Sequence, residues 1–268
     1  MMLSMKWLTS FITRRGAAAL SLWRTWRGIF SFAGKVLVTA MSPKAYNSAT
    51  RMVVIKQIYF TAWQILLPFT LFSALLSFVL ITIVVETATS YGFGNLALEL
   101  SVRVLVLEIL PLMTALFIAL RSSTAINTEI ALMRIHNELD ALEAVGVDTM
   151  RLEFMPRVIA GIVSVLALTA LTSTLALVLA YLAVYGFQVW SIPEFNLIMG
   201  KVFSGSVLLV LWLKCLAFGL AISVIPLVAG LNTPKMLFMA PISVLQGMVR
   251  LFFVLMLIEV ASLALIYI

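Results

Sequence analysis

Long stretches of apolar residues, separated by short polar turns, make up most of this chain. Residues 57–85 carry no charge, and neither do residues 158–193. About 20 apolar residues suffice to cross a bilayer as a helix. The runs are apolar on every side, whereas strands of a membrane barrel alternate apolar and polar residues. The chain is therefore expected to be an all-α integral membrane protein with five transmembrane helices, near 60–85, 102–122, 158–185, 205–229 and 244–267. Pro68 falls inside the first crossing, and Glu108 and Pro111 inside the second. Turn-forming residues mark the connections: Gly92 and Asn95 after the first run, Gly186 and Pro193 after the third, Asn232 and Pro234 after the fourth.

Five crossings put the two chain ends on opposite sides. Residues 1–56 hold nine Lys/Arg and no Asp/Glu. Four more lie around the second connection and two around the fourth, fifteen on one side against Arg103 and Lys201 on the other. Cytoplasmic segments collect Lys and Arg, so the N-terminus is expected in the cytoplasm and the C-terminus across the membrane. Within the basic segment, Leu8, Ile12, Ala19, Trp23, Trp26 and Phe30 recur at spacings of three, four and seven, with arginines between them. That spacing predicts an amphipathic helix lying in the membrane interface, tryptophans toward lipid. The chain thus divides into a basic N-terminal segment with an interfacial helix, 1–56, and a transmembrane domain, 57–268, whose long cytoplasmic loop spans 123–156.

Composition narrows the function classes. The chain is 63% hydrophobic and 11% charged, against about 25% charged residues in a soluble domain. Its net charge of +7 is concentrated beside the first apolar run. That placement suits anionic lipid headgroups, not nucleic acid. A lone cysteine, Cys215, excludes an intrachain disulfide and offers no metal framework. No catalytic residue and no metal ligand is identified.

One passage breaks the apolar character. Residues 134–148, RIHNELDALEAVGVD, hold the chain's only histidine and four of its eleven acidic residues. Ile135, Leu139, Leu142 and Val145 recur every three or four residues and form one stripe of a short helix. His136, Asp140 and Glu143 recur likewise on another face. Arg134 and Glu138 are four apart and can pair, and Gly146 can supply the left-handed residue that ends the helix. Two readings stand: a helix lying flat on its own protein or on headgroups, and a docking helix for a soluble partner. Its acidic character suits headgroups poorly.

Glu108, Lys214 and Glu259 each fall within a crossing. A charge at the bilayer centre costs at least ~2.5–3.5 kcal/mol on insertion scales, so such residues pair or face a polar cavity. At ~1.5 Å per residue, all three are expected in the outer half of the membrane. They are read as a cluster near the mouth of a lipid cavity, serving either a lipid headgroup or helix packing alone.

The stretch RSSTAINTEIALMRIHNELDALEAVGVDTMRLEFMPRVIA, residues 121–160, resembles the MlaE/YrbE family of permeases of lipid-transport ABC transporters. The similarity rests on Arg121, Ser122, Ala125, Ile126, Glu129, Met133 and Arg134, then on Asp140 to Glu143, Gly146 to Asp148 and Pro156 to Val158. Two departures stand out. Of the family's Arg-Glu-Leu-Gly-Pro only Glu108 and Pro111 remain, and residues 231–250 replace its threonine-rich segment. The resemblance implies a homodimer in the bacterial inner membrane, a separate cytoplasmic ATPase dimer, a periplasmic MCE-domain partner and a membrane lipid as substrate. It implies that 134–146 is a coupling helix, with Glu129, Arg134, His136, Glu138, Leu139, Asp140, Leu142, Glu143 and Gly146 as the contacts to the ATPase. Glu108, Lys214 and Glu259 would line the lipid pathway.

ATP-Mg is expected only in the partner, with no cofactor in this chain. A phosphate-cradling loop needs GxxxxGK[ST]. The Gly-Lys pairs here, Gly34-Lys35 and Gly200-Lys201, are each followed by valine and lack the first glycine. The alternatives are a stand-alone lipid-modifying enzyme and a secondary transporter. His136 and Asp140 have the wrong separation for the first. No matched pair of helix interruptions supports the second.

Overall fold

The structure, a computed structural model, describes residues 23–267. The part of the interfacial helix placed on Leu8, Ile12 and Ala19 lies outside them. Eight helices follow: α1 (23–41), α2 (Ser48–Ser90), α3 (Leu96–Ile135), α4 (Glu138–Ala144), α5 (Met150–Tyr185), α6 (Ile192–Val202), α7 (Gly205–Leu231) and α8 (Ala240–Tyr267). Among the described residues there is no strand. Helices α2, α3, α5, α7 and α8 are each long and apolar enough to cross a membrane. They alternate in direction, so α1, α4 and the α7–α8 turn gather at one end, here the basic end. The α2–α3 turn and α6 lie at the opposite end.

Several helices outrun the apolar cores that announce them. Nothing between Ser48 and Pro68 breaks a helix, and α2 runs for 43 residues, about 65 Å at 1.5 Å per residue. It continues through residues 56 and 57 without interruption. Likewise α3 begins at Leu96, and its first turns pack against α6, a helix not anticipated from the sequence. Leu98, Val102, Ile198 and Val202 form part of the buried core there. Glu108 therefore lies twelve residues into its helix (96 to 108), deeper than a helix starting at 102 allows.

Helices α3 and α7 occupy the centre, while α2 and α8 flank the bundle. Close approach rests on small residues. A Cβ on Gly219 would lie 2.6 Å from the Ile162 Cα, so α7 meets the α5 backbone with no side chain between. Polar side chains in these apolar helices bond their own backbone: Thr114 to the Leu110 carbonyl at 2.7 Å, Thr172 to Leu168 at 2.9 Å, Ser223 to Gly219 at 2.7 Å. In lipid no water can take these groups.

Helix α1 packs on the bundle through Ile29, Phe32 and Val36. Ile29 and Val36 are buried, and Phe32 sets its ring edge-on to Phe154 with centroids 5.5 Å apart. Trp26 packs against this core, but Trp23 and Phe30 are exposed. The face Trp23–Trp26–Phe30 is thus split between protein and surroundings.

Candidate functional site

Pro111 sets up the polar site inside the bundle. Proline has no amide hydrogen and displaces the carbonyl four residues back. Pro111 does this to the Leu107 carbonyl, and the chain there widens into a π turn, Leu105–Ile109, with the Leu110 N–H reaching Leu105 O. Such turns are common at functional sites. This one carries Glu108 and leaves the Leu107 carbonyl open to another donor. Lys214 of α7 supplies it: its ammonium donates to Leu107 O at 3.1 Å and to the Glu108 carboxylate. The same ammonium lies 2.8 Å from Glu259 Oε2 of α8, off the line of a hydrogen bond. The Phe218 ring, one turn along α7, adds a cation–π contact at 6.0 Å.

Glu108, Lys214 and Glu259 thus meet, drawn from three spans. Two carboxylates share one ammonium. Glu108 Oε1 has no hydrogen-bond partner among the described residues. The cluster is closed, not open as the mouth of a cavity: the side chains of Lys214, Glu108 and Glu259 are 0, 9 and 11% exposed. Beside it, an apolar groove of about 230 Å³ between α2 and α3 is lined by Leu105 and Ile109 of the same π turn.

The acidic passage differs from the single helix expected over 134–146. Helix α3 ends at Ile135, Asn137 adopts a left-handed conformation (φ +59°), and α4 starts at Glu138. Asparagine tolerates that conformation better than most residues. The break separates Arg134 from Glu138, and Arg134 pairs instead with Asp140 at 3.3 Å. Asp140 also binds Lys235 at 2.9 Å, and Lys235 donates to Asn137 as well. The hydrogen bond from Lys235 and its charge, with a lesser contribution from Arg134, hold the Asp140 carboxyl below its ordinary value.

Only Leu139 of the apolar stripe is fully buried. Ile135 and Leu142 are half-buried, and Val145 is exposed. Gly146 (φ +81°) ends α4 as anticipated: its N–H bonds Glu143 O, and Val147 N–H bonds Leu142 O, both at 3.0 Å. This is the two-bond left-handed cap of a helix C-terminus. The Glu143 side chain accepts a bond from Thr149 at 2.9 Å. His136 and Glu138 are exposed.

Glu129 lies apart from this segment. It pairs at 3.1 Å with Arg157 of α5, which also binds the Glu153 carboxylate and donates to the Glu153 carbonyl at 2.7 Å. Sequence reasoning missed this cluster. The i,i+4 spacing of Glu153 and Arg157 was its visible signal.

A bundle of five long apolar helices with a buried charge cluster contributed by three of them has the architecture of an integral membrane protein. The family model for the MlaE permease matches residues 54–265, and the chain belongs to that family of permeases. Comparison with curated proteins finds no match.

Proposed function

We propose that this chain is the transmembrane subunit of an ABC transporter that moves lipid, a phospholipid by the resemblance, between the bacterial inner membrane and a periplasmic MCE-domain partner. It acts as a homodimer on a separate cytoplasmic ATPase dimer, which holds the ATP-Mg. The observation that carries the reading is the Glu108–Lys214–Glu259 cluster in a chain of this family. Ionisable groups among apolar helices are costly, and they repay that cost only if they structure the bundle or meet a polar ligand. A headgroup entering when α3, α7 and α8 part would find a free carboxylate oxygen on Glu108 and the Lys214 ammonium.

The coupling surface is the acidic passage. Leu139 roots α4 in the core, Gly146 ends it, and Glu138, Asp140, Glu143 and His136 face outward toward the ATPase. Arg134 and Lys235 brace Asp140 from two sides, so a push on α4 reaches both α3 and the α7–α8 turn. Leu142 adds half-buried packing, and Glu129 carries the movement to α5 through Arg157.

The test is lipid transport in proteoliposomes with Glu108→Gln, Lys214→Met and Glu259→Gln. Each is expected to lower the rate about tenfold or more, equivalent to ~1.4 kcal/mol on the barrier. Full transport by all three, in folded protein, would exclude the headgroup role. Detergent-extracted chain should also bring down an ATPase, and Glu138→Lys/Glu143→Lys should release it.

A further inference from the structure

We propose a second polar station at the basic end, a site for a zwitterionic phospholipid headgroup between α2, α3 and α5. A cavity of about 590 Å³ opens there, within the ~300–1,000 Å³ of small-molecule sites. Three π turns converge on it: Tyr59–Trp63 supplies Thr61, Ala119–Ser123 supplies Arg121, and Met150–Phe154 supplies Glu153. One such turn is uncommon in a helix, and they gather at functional sites.

The charges lining the cavity are of both signs. Lys56, Arg121 and Arg157 stand against Glu129 and Glu153. Arg157 is 6% exposed and its Nε has no hydrogen-bond partner among the described residues. Glu129 and Glu153 each give one oxygen to Arg157, leaving the other to receive an ammonium. Lys56 and Arg121 are exposed, and among the described residues the Arg121 side chain is tied only to Gln64. A phosphate on Lys56 and Arg121 with an ammonium on Glu129 and Glu153 uses both signs, which neither an amine-free headgroup such as phosphatidylglycerol nor free phosphate does. Val53, Phe60 and Ile126 supply the apolar part of the wall. Leu67 and Leu71 continue that side of α2 as an exposed stripe for an acyl chain.

Arg121 and Glu108 belong to the same helix, thirteen residues or about 20 Å apart along it. The two polar sites therefore stand at different depths on one element. The role of this site in transport rests on the lipid-permease reading; binding at the site does not.

The experiment uses the full chain in nanodiscs, with a photoreactive residue at Gln57, which lines the cavity. Phosphatidylethanolamine should crosslink there in preference to phosphatidylglycerol with the same acyl chains. Lys56→Ala/Arg121→Ala, both at exposed positions, should weaken that binding at least about tenfold. Glu108→Gln should leave it unchanged. Equal capture of phosphatidylglycerol would overturn the zwitterion assignment. Displacement by millimolar inorganic phosphate would assign the site to free phosphate instead of lipid. Wild-type binding by the double variant would overturn the site altogether. A failure of the transport reading looks different: intact transport in the Glu108, Lys214 and Glu259 variants with the Gln57 crosslink still present.

Discussion

Pro226 leaves the Ile222 carbonyl without its helical donor, and Ser123, on another helix, donates its hydroxyl to that oxygen at 2.5 Å. Both Ser123 and Ile222 are almost fully buried. Ser123→Ala should therefore cost about 1–3 kcal/mol, the penalty of an orphaned buried carbonyl. Pro226→Ala should rescue it by restoring the helical bond, so the two changes should couple in a double-mutant cycle read by unfolding in detergent. Lys214 stands in the same relation to Pro111, with charge added. Lys214→Met should destabilise by about 3–5 kcal/mol because two carboxylates are left buried without a cation. Adding Glu108→Gln and Glu259→Gln should recover much of that loss. If the triple variant regains stability but not transport, the cluster does more than pack helices. The sequence marked Glu108, Lys214 and Glu259 by the cost of charge in an apolar run. It gave no sign that Ser123 serves Pro226, since the partners lie about a hundred residues apart and a serine in a helix is unremarkable.

Single helices show where periodicity reads well and where it fails. The end of α4 was legible because Gly146 is the residue type a left-handed cap favours. The break at Asn137 was not, because the apolar stripe runs through it unbroken and the turn is held from outside by Lys235. That brace predicts a pH response. Asp140 has its carboxyl held below the ordinary value of 3.8, so the contact contributes fully above that value and is lost only as pH falls through the lowered one. The protection of α4 against hydrogen exchange, relative to the intrinsic rate at each pH, should therefore stay constant between pH 5 and 8, and Asp140→Asn should lower it throughout that range. Equal exchange in the variant would show that the brace holds nothing. Between α5 and α7 the contact is steric. Gly219→Ala meets the Ile162 backbone, which cannot yield as a side-chain tip can. It should lower thermal stability, while Gly205→Ala, with nothing within 4 Å of the added Cβ, should not.

The five spans were legible because each is a long run without charge, and bilayer thickness makes length alone decisive. Their ends were not, because helices continue past the apolar run: α2 back to Ser48, α3 back to Leu96. The cluster of Glu129, Glu153 and Arg157 was hidden for a related reason. Its members sit where span and loop meet, so neither the search for buried charges nor the search for loop motifs singled them out. The Lys/Arg imbalance of fifteen to two predicts an orientation that the intact cell can test. Cys215 is buried and is the only cysteine, so a Cys215→Ser chain is a clean background. Val145 at the basic end and Trp190 at the opposite end are both exposed and accept single cysteines without touching the core. A membrane-impermeant maleimide added outside spheroplasts should label Trp190→Cys and spare Val145→Cys until the membrane is opened. The reverse result would put α4 on the face without ATP. No cytoplasmic ATPase could then push on it, and the charged passage would need a partner of another kind.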